Sequence, residues 1–526
     1  MIDQGTTRMT RRIASTIVAS AALTSVLWAQ APATGNEDVA KRQLESGRSF
    51  ARQGNYTEAL KDFRAVADTH ASTSVADNAL LEIARYYLDV INDTKQATTA
   101  VEAILTKYPT SDSAPDAYVM AGRLALSRGH QPVDLEAAIA NFDRVFRLFP
   151  NSDAVPRSLL YAGETHWYAR RYDDALASFG RVTADYPTSA SAADSYLGAG
   201  RVLVSLGRPV LAMEELQQIR NRWPNSPAAA IALSRITLLN RLFVRGRSQA
   251  AFTLTTETLG PPKLQNVVAL AATTSGGIYL ATEMGITPLS APAGAKAPAS
   301  ARPRGLALDS GGNLVGIESN GVRSASGEAV AFSAPQSSGG TKPLVKIDAA
   351  AQMSNGDWLI MDDDEKGLQR FSRTGTYVNV FNATKTPRLA VNAIDDVAVI
   401  DRDGKTITIF DATGKVVGRI PFKGASYDLP NPEDLAFDSF GHLYVLDRAA
   451  IAVFSPYPVP AATGATPPAT PAPASGPRTV NYSLVTQFTA PEKDPAAFRK
   501  ATAFAVDPSG AVFLYDERAQ RVMVYR

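Results

Sequence analysis

An aromatic residue followed by proline, returning at a nearly constant interval, constrains this chain more than any other feature. The pairs are Tyr108-Pro109, Phe149-Pro150, Tyr186-Pro187 and Trp223-Pro224, each followed by two polar residues, with steps of 41, 37 and 37 residues between the aromatics. Eleven residues before each aromatic stands an alanine (Ala97, Ala138, Ala175, Ala212), and a degenerate first copy sets Ala59 before His70. Four residues beyond each alanine comes a large apolar side chain: Phe63, Val101, Phe142, Phe179 or Leu216. A second small set, Gly47, Ala84, Gly122, Gly163 and Gly200, keeps the same rhythm. Glycine costs about 1 kcal/mol relative to alanine inside a helix, so its return at one position implies that two backbones approach there. Each unit is therefore expected to be a pair of helices in close contact. Proline should stop one helix, and the Asn, Thr or Ser after it should cap the next. The repeat predicts an all-α array over residues 37–245.

Past Arg247 the pattern changes to short alternating runs separated by Gly, Asp and Ser turns. Leu306–Leu314 is echoed by Leu435–Leu443 and by Phe504–Val512, each a strand, a tight Asp/Gly turn and a second strand. Weaker copies surround Gly277, Gly356 and Asp395, which makes six units. Units too small to bury their own sheets imply radial packing into blades. The expectation is a two-domain chain: an all-α helical-repeat solenoid, then an all-β six-bladed propeller over residues 250–526. Arg526 follows directly on the third strand of the last unit, so Ala251 to Thr256 is expected to supply that blade's outer strand. A Pro/Ala-rich insertion over 456–477 should be an extended, solvated loop.

The N-terminus has its own logic. Arg8, Arg11 and Arg12 precede an uncharged stretch from Ile13 to Trp28, and small residues follow at Ala29, Ala31 and Ala33. That is the order of a secretory signal, and residues 1–33 are expected to be removed, leaving a periplasmic or secreted protein. No later segment has 18 uninterrupted apolar residues, so no integral span is expected after signal removal. Lys plus Arg is 53 against 51 acidic residues, a formal charge of +2, which gives no electrostatic basis for nucleic-acid binding. Cysteine is absent, which excludes disulfides, thiolate metal sites and a lipidated cysteine.

The helical units, with their aromatic-Pro-Asn/Thr-Ser connectors, resemble the tetratricopeptide repeat over roughly residues 40–240. The connector is similar to that of the periplasmic repeats of the Tol-Pal cell-division coordinator and of the outer-membrane assembly lipoprotein. The anchoring cysteine of the lipoprotein and the coiled coil of the coordinator have no counterpart in this sequence. The Asp-x-x-Gly hairpins resemble the NHL-type six-bladed propeller. In the tetratricopeptide family the residue after the small position of each first helix lines a groove, which implies groove roles for Arg48, Arg85, Arg123, Glu164 and Arg201. Arginines there would hold carboxylates of a bound protein segment through bidentate hydrogen bonds. They could equally pair within their own helices, because Glu45 and Glu82 each lie three residues before an arginine.

Some propellers of this shape are lyases or lactonases, which makes an enzyme one reading of the second half. Of four histidines, His70, His130 and His166 lie in the repeats and only His442 in the propeller, too few for a histidine metal cluster. Asp362-Asp363-Asp364-Glu365 is the densest acidic group, read as a hairpin whose acids cap turn amides; Asp309, Asp438 and Asp507 are read as turn residues. No catalytic, metal or cofactor residue is expected. The expected function is an exported non-catalytic scaffold binding protein or peptide partners of the cell envelope, in assembly or division. A propeller lyase or lactonase and a binder of cell-wall glycan are the alternatives.

Overall fold

The computed structural model describes residues 35–127, 132–245, 250–257, 259–336, 339–365, 367–386, 388–460, 478–489 and 498–526. The expected signal segment, His130 and positions 461–477 of the Pro/Ala-rich insertion lie outside them. The chain divides into two compact units, one ending at Leu159 and one running from Leu160 to Arg526.

In the first unit helices α1 (35–52), α2 (Tyr56–Thr69), α3 (Ala76–Arg85), α4 (Thr94–Lys107), α5 (Ala114–Ser127) and α6 (Pro132–Leu148) lead into α7 (Val155–Tyr168), within which the division falls. The second unit continues with α8 (Tyr172–Asp185), α9 (Ala192–Ser205), α10 (Pro209–Arg222) and α11 (Pro227–Leu239). Each aromatic of the connector ends its helix because the residue before a proline is driven out of the α region. Tyr108, Tyr186 and Trp223 sit at φ −131°, −130° and −133°. The serine three positions on then returns its amide to the aromatic carbonyl, at 3.1 Å for Ser111 and 3.0 Å for Ser152, Ser189 and Ser226.

Among the described caps, the capping expectation is met at the last connector. Ser226 Oγ accepts the Ala229 amide at 3.1 Å. The serine carbonyl accepts at all four connectors, from Ala114 (3.2 Å), Val155 (3.1 Å), Ala192 (3.1 Å) and Ala229 (3.1 Å), and at Ser111 and Ser189 the hydroxyl has no partner among the described residues. Side-chain caps also begin α2, at Asn55, and α4, at Asp93.

The second small set meets the large apolar set as expected. A Cβ added at Gly47 would lie 2.6 Å from Phe63, at Gly122 2.3 Å from Phe142, at Gly163 2.6 Å from Phe179 and at Gly200 3.0 Å from Leu216. Where the small residue is Ala84, the large one is the smaller Val101, in the same buried cluster. The interval between them is 16 residues in the first, fourth and fifth pairs and 17 in the second. The extra residue is taken up by a π-helical turn, Tyr86–Ile91, closed by Asn92 at φ 58°. One added residue in an otherwise α-helical ladder is what a π-bulge accommodates.

Seven antiparallel sheets follow among the described residues; one is a two-stranded ribbon, Ser333–Pro335 with Thr341–Pro343, and the inner strands of the other six, Val267–Ala272, Gly305–Leu308, Ile347–Gln352, Leu389–Val391, Pro432–Phe437 and Ala501–Val506, neighbour one another in a closed ring. Blades two to five have four strands, and blade six has three within its own sheet. Its outer edge is completed from the start of the propeller: Thr253 N–H donates to Arg526 O (2.9 Å), Thr255 N–H to Val524 O (2.9 Å), and Arg526 N–H to Thr253 O (3.0 Å). First and last segments of the propeller thus share one blade, which fastens the ring.

The second unit has one core spanning helices and blades. Leu238, Leu239, Leu242 and Phe243 are buried with Phe252, Phe440, Tyr444 and Phe504. Helix α11 with its π-helical extension, Pro227–Arg245, is the one described helix long and apolar enough to cross a membrane. Its Leu238, Leu239, Leu242 and Phe243 are buried in the core shared with blades five and six, and Arg241 donates to Ser509 O at 2.8 Å.

Candidate functional site

The π-helical turn opens a cleft of about 420 Å³ in the first unit, lined by α1, α2 and α3. Its floor is Ala59, Leu60 and Phe63, and its walls carry Tyr56, Tyr86 and Val90. The Tyr56 and Tyr86 rings lie 5.3 Å apart, and Val90 and Ile91 are 44% and 52% exposed. Arg48, Arg52 and Arg85 face Glu82 and Asp89 around the mouth.

Arg48 and Arg85 are held by carboxylates rather than free. Arg48 bonds Glu45 at 2.9 Å and Glu82 at 3.0 Å; Arg85 bonds Glu82 and Asp116, both at 3.4 Å. Asp116 also pairs with Arg157. Arg123 reaches Asp89 at 2.6 Å. Both the pairing within helices and a pairing between successive first helices are therefore present. Each exposed pair contributes little to stability alone, but together they fix the guanidinium groups in place. Arg52 is exposed and has no ion pair among the described residues.

Glu164 and Arg201 sit elsewhere, against this chain's own propeller. Tyr168 O–H donates to Ala393 O at 3.3 Å, and burial pushes its phenol up to about 12. Arg201 stacks on Trp167 with 4.8 Å to the ring centroid, and Trp167 donates to Ser205 Oγ at 2.9 Å. Burial raises the Glu164 carboxyl, with the Arg201 charge opposing. Arg235, the next in this row, lies 5.6 Å from the centre of the Phe440 ring, and burial lowers it to about 9. Ile394 and Tyr457 pack on the same helices.

In the propeller the acids serve turns. Asp309 Oδ1 accepts from Gly311 (2.9 Å) and Asn313 (2.8 Å), Asp438 Oδ1 from Phe440 (2.9 Å) and His442 (3.0 Å), and Asp507 Oδ1 from Ser509 (2.8 Å) and Ala511 (2.9 Å). Asp362 is buried and accepts the amides of Val345 (3.2 Å), Lys346 (2.8 Å) and Asp364 (2.9 Å). His442 is fully buried, bonded to Asp438 at 2.8 Å and closed over by Phe243 at 5.5 Å. Among the described residues no three His, Asp or Glu side chains gather as a metal site.

Of the residues expected from spacing, the cleft contains Arg48 and Arg85; it also contains Arg52, Tyr56, Tyr86, Asp89 and Val90, which the spacing does not single out. The signal for them was the 17-residue interval of the second pair, which places an insertion where the cleft opens.

Residues 44–112 and 160–227 match the tetratricopeptide repeat family. No curated protein is significantly similar in sequence. Among solved structures, a tetratricopeptide-repeat protein of Thermus thermophilus is 20% identical, covers 38% of this chain and 100% of its own, and has a TM-score of 0.30. A streptogramin B lyase is 13% identical over 52% of this chain and 97% of its own, with a TM-score of 0.31. The aspartyl phosphate phosphatase F of Bacillus subtilis is 17% identical over 44% and 62%, with a TM-score of 0.34. This chain carries tetratricopeptide repeats, followed by a six-bladed β-propeller.

Proposed function

We propose that this protein is an exported, non-catalytic scaffold that binds a partner protein segment in the cleft of α1, α2 and α3 and offers the propeller as a second binding face. The observation that supports this most directly is the cleft itself: an apolar floor, two tyrosines and three arginines converge where a one-residue insertion widens the helix pair. Two of those arginines are already oriented by Glu45, Glu82 and Asp116, so little side-chain entropy is lost when a ligand arrives. Arg52 is the cation left for a carboxylate of the partner. Mixed charge around the mouth favours a segment of mixed charge over a uniformly acidic one. The sequence order of residues 1–33 supports export to the periplasm or beyond. Resemblance of the connectors to periplasmic envelope proteins supports a role in envelope assembly or division.

The experiment is retention of partners from envelope extract by the mature chain and by an Arg48→Ala, Arg52→Ala, Arg85→Ala variant at low salt. Loss of the retained protein with unchanged helicity is expected, and Arg52→Ala alone should cost about 1.5–3 kcal/mol, the scale of a hydrogen bond to a charged group. Equal retention by both proteins counts against the cleft, and an envelope form beginning at Met1 counts against export by a cleaved signal.

A further inference from the structure

Five glycines stand inside the repeat helices where a neighbour demands them: at Gly47, Gly122, Gly163, Gly198 and Gly200 an added Cβ would lie 3.0 Å or less from a side chain. Gly180, in the third turn of α8, is different. Nothing lies within 4 Å of a Cβ built there. Glycine at an exposed helical position costs about 1 kcal/mol relative to alanine, and no contact inside this chain accounts for it.

Gly180 opens onto a groove of about 320 Å³, lined by Leu176 of α8, Ala199 and Leu203 of α9, and Leu211, Glu214 and Glu215 of α10. Leu211 is 47% exposed and its neighbour Val210 52%, so the groove is bordered by large apolar side chains facing solvent. Asp173 shares the α8 stripe with Leu176 and Gly180, at the i, i+3 and i+7 positions. No lysine or arginine lines the groove, and neither Asp173 nor Glu214 has an ion pair among the described residues. This site is separate from the cleft in the first unit and does not depend on it.

We propose that the groove between α8 and α10 is a docking site for a basic amphipathic segment of a partner protein. An apolar side chain of that segment sits over Gly180, where the missing Cβ leaves room. Lysine or arginine side chains on its flanks reach Asp173, Glu214 and Glu215. Charge complementarity selects this occupant, because an acidic segment would face Asp173 and Glu214, which have no ion pair among the described residues, and Glu215, on which only the Arg222 charge acts in opposition to burial.

The probes are two synthetic helix formers of about 15 residues, identical in their leucine stripe. One carries lysine and the other glutamate on the remaining faces. The wild-type chain should bind the leucine–lysine peptide and not its glutamate counterpart. Gly180→Trp, which fills the groove, and Glu214→Lys/Glu215→Lys should each weaken that binding by about tenfold or more with unchanged helicity. As a second measurement that does not depend on a bulky substitution, the cysteine-free chain accepts a unique thiol at Gly180→Cys. The leucine–lysine peptide should slow its alkylation and leave that of Ser178→Cys, round the other side of α8, unchanged. The proposal is overturned if the two peptides bind alike, if the variants bind as tightly as wild type, or if the thiol at 180 is not protected. A concentration-dependent dimer lost in Gly180→Trp would assign the groove to a second copy of this chain and overturn it equally.

Discussion

A methyl group placed on Gly163 would meet the Phe179 ring at 2.6 Å, and the same ring is also packed by Gly198, whose added Cβ would lie 2.5 Å away. The ring is buried and closely packed against both glycines. Gly163→Ala should therefore lose stability, because an overpacking cost of about 1–3 kcal/mol exceeds the helix-propensity gain of about 1 kcal/mol. At Gly180 only the propensity gain remains, so Gly180→Ala should raise stability by up to about 1 kcal/mol. Denaturation midpoints followed by helix circular dichroism check the pair, and two shifts of the same sign would show that the packing argument is wrong. The recurrence of small residues in the sequence was enough to place Gly163 at a close contact. Gly180 falls outside the periodic positions, and only its empty surroundings in three dimensions separate its meaning from that of the others.

Among elements, α3 and its π-helical continuation show how one residue changes a surface. In the first, fourth and fifth repeats the small and large partners are 16 residues apart, and the helices join without a bulge. In the second, the additional residue is stored as a wider turn that carries Tyr86, Asp89 and Val90 to the cleft, while Ala84 and Val101 stay in one buried cluster. Deleting Ile91 should restore the 16-residue interval. The expected result is a folded protein with equal or higher thermal midpoint that no longer retains a partner in the cleft. An unfolded deletion variant would mean that the bulge is required by packing rather than by binding. The arrangement of paired helices and hairpin blades was legible because it is written in local periodicity and in turn chemistry. The serine caps are fewer than the connectors suggest: the serine meets the next helix with its carbonyl at Ser111, Ser189 and Ser226, and adds its hydroxyl at Ser226. Sequence alone does not distinguish these two uses of the same residue.

At the scale of the whole molecule, the change from helical to alternating pattern near residue 250 marks a change of secondary structure, whereas the division between compact units falls between Leu159 and Leu160. Periodicity could not reveal this, since Leu238, Leu242 and Phe243 read as an ordinary helical core whether they face another helix or a blade. Their partners, Phe440 and Tyr444, are some two hundred residues away along the chain. The consequence concerns which pieces stand alone. A fragment from Val155 to Arg526 keeps α7 through α11 on the propeller. A fragment beginning at Gln249 or Ala250 removes Phe243 from its position 5.5 Å from buried His442, Arg241 from Ser509, and Tyr168 from Ala393. Re-exposing each large apolar side chain costs about 1.5–3 kcal/mol, and several are involved, a sum comparable with the whole stability of a domain at about 5–15 kcal/mol. The longer fragment should be monomeric and unfold cooperatively. The shorter one should aggregate, bind a hydrophobic dye, or unfold at much lower denaturant. Closure of blade six by residues 251–256 is retained in both, so it cannot be the source of the difference. Matching midpoints for the two fragments would show that the helices merely rest on the blades, and that the propeller is an independent domain after all.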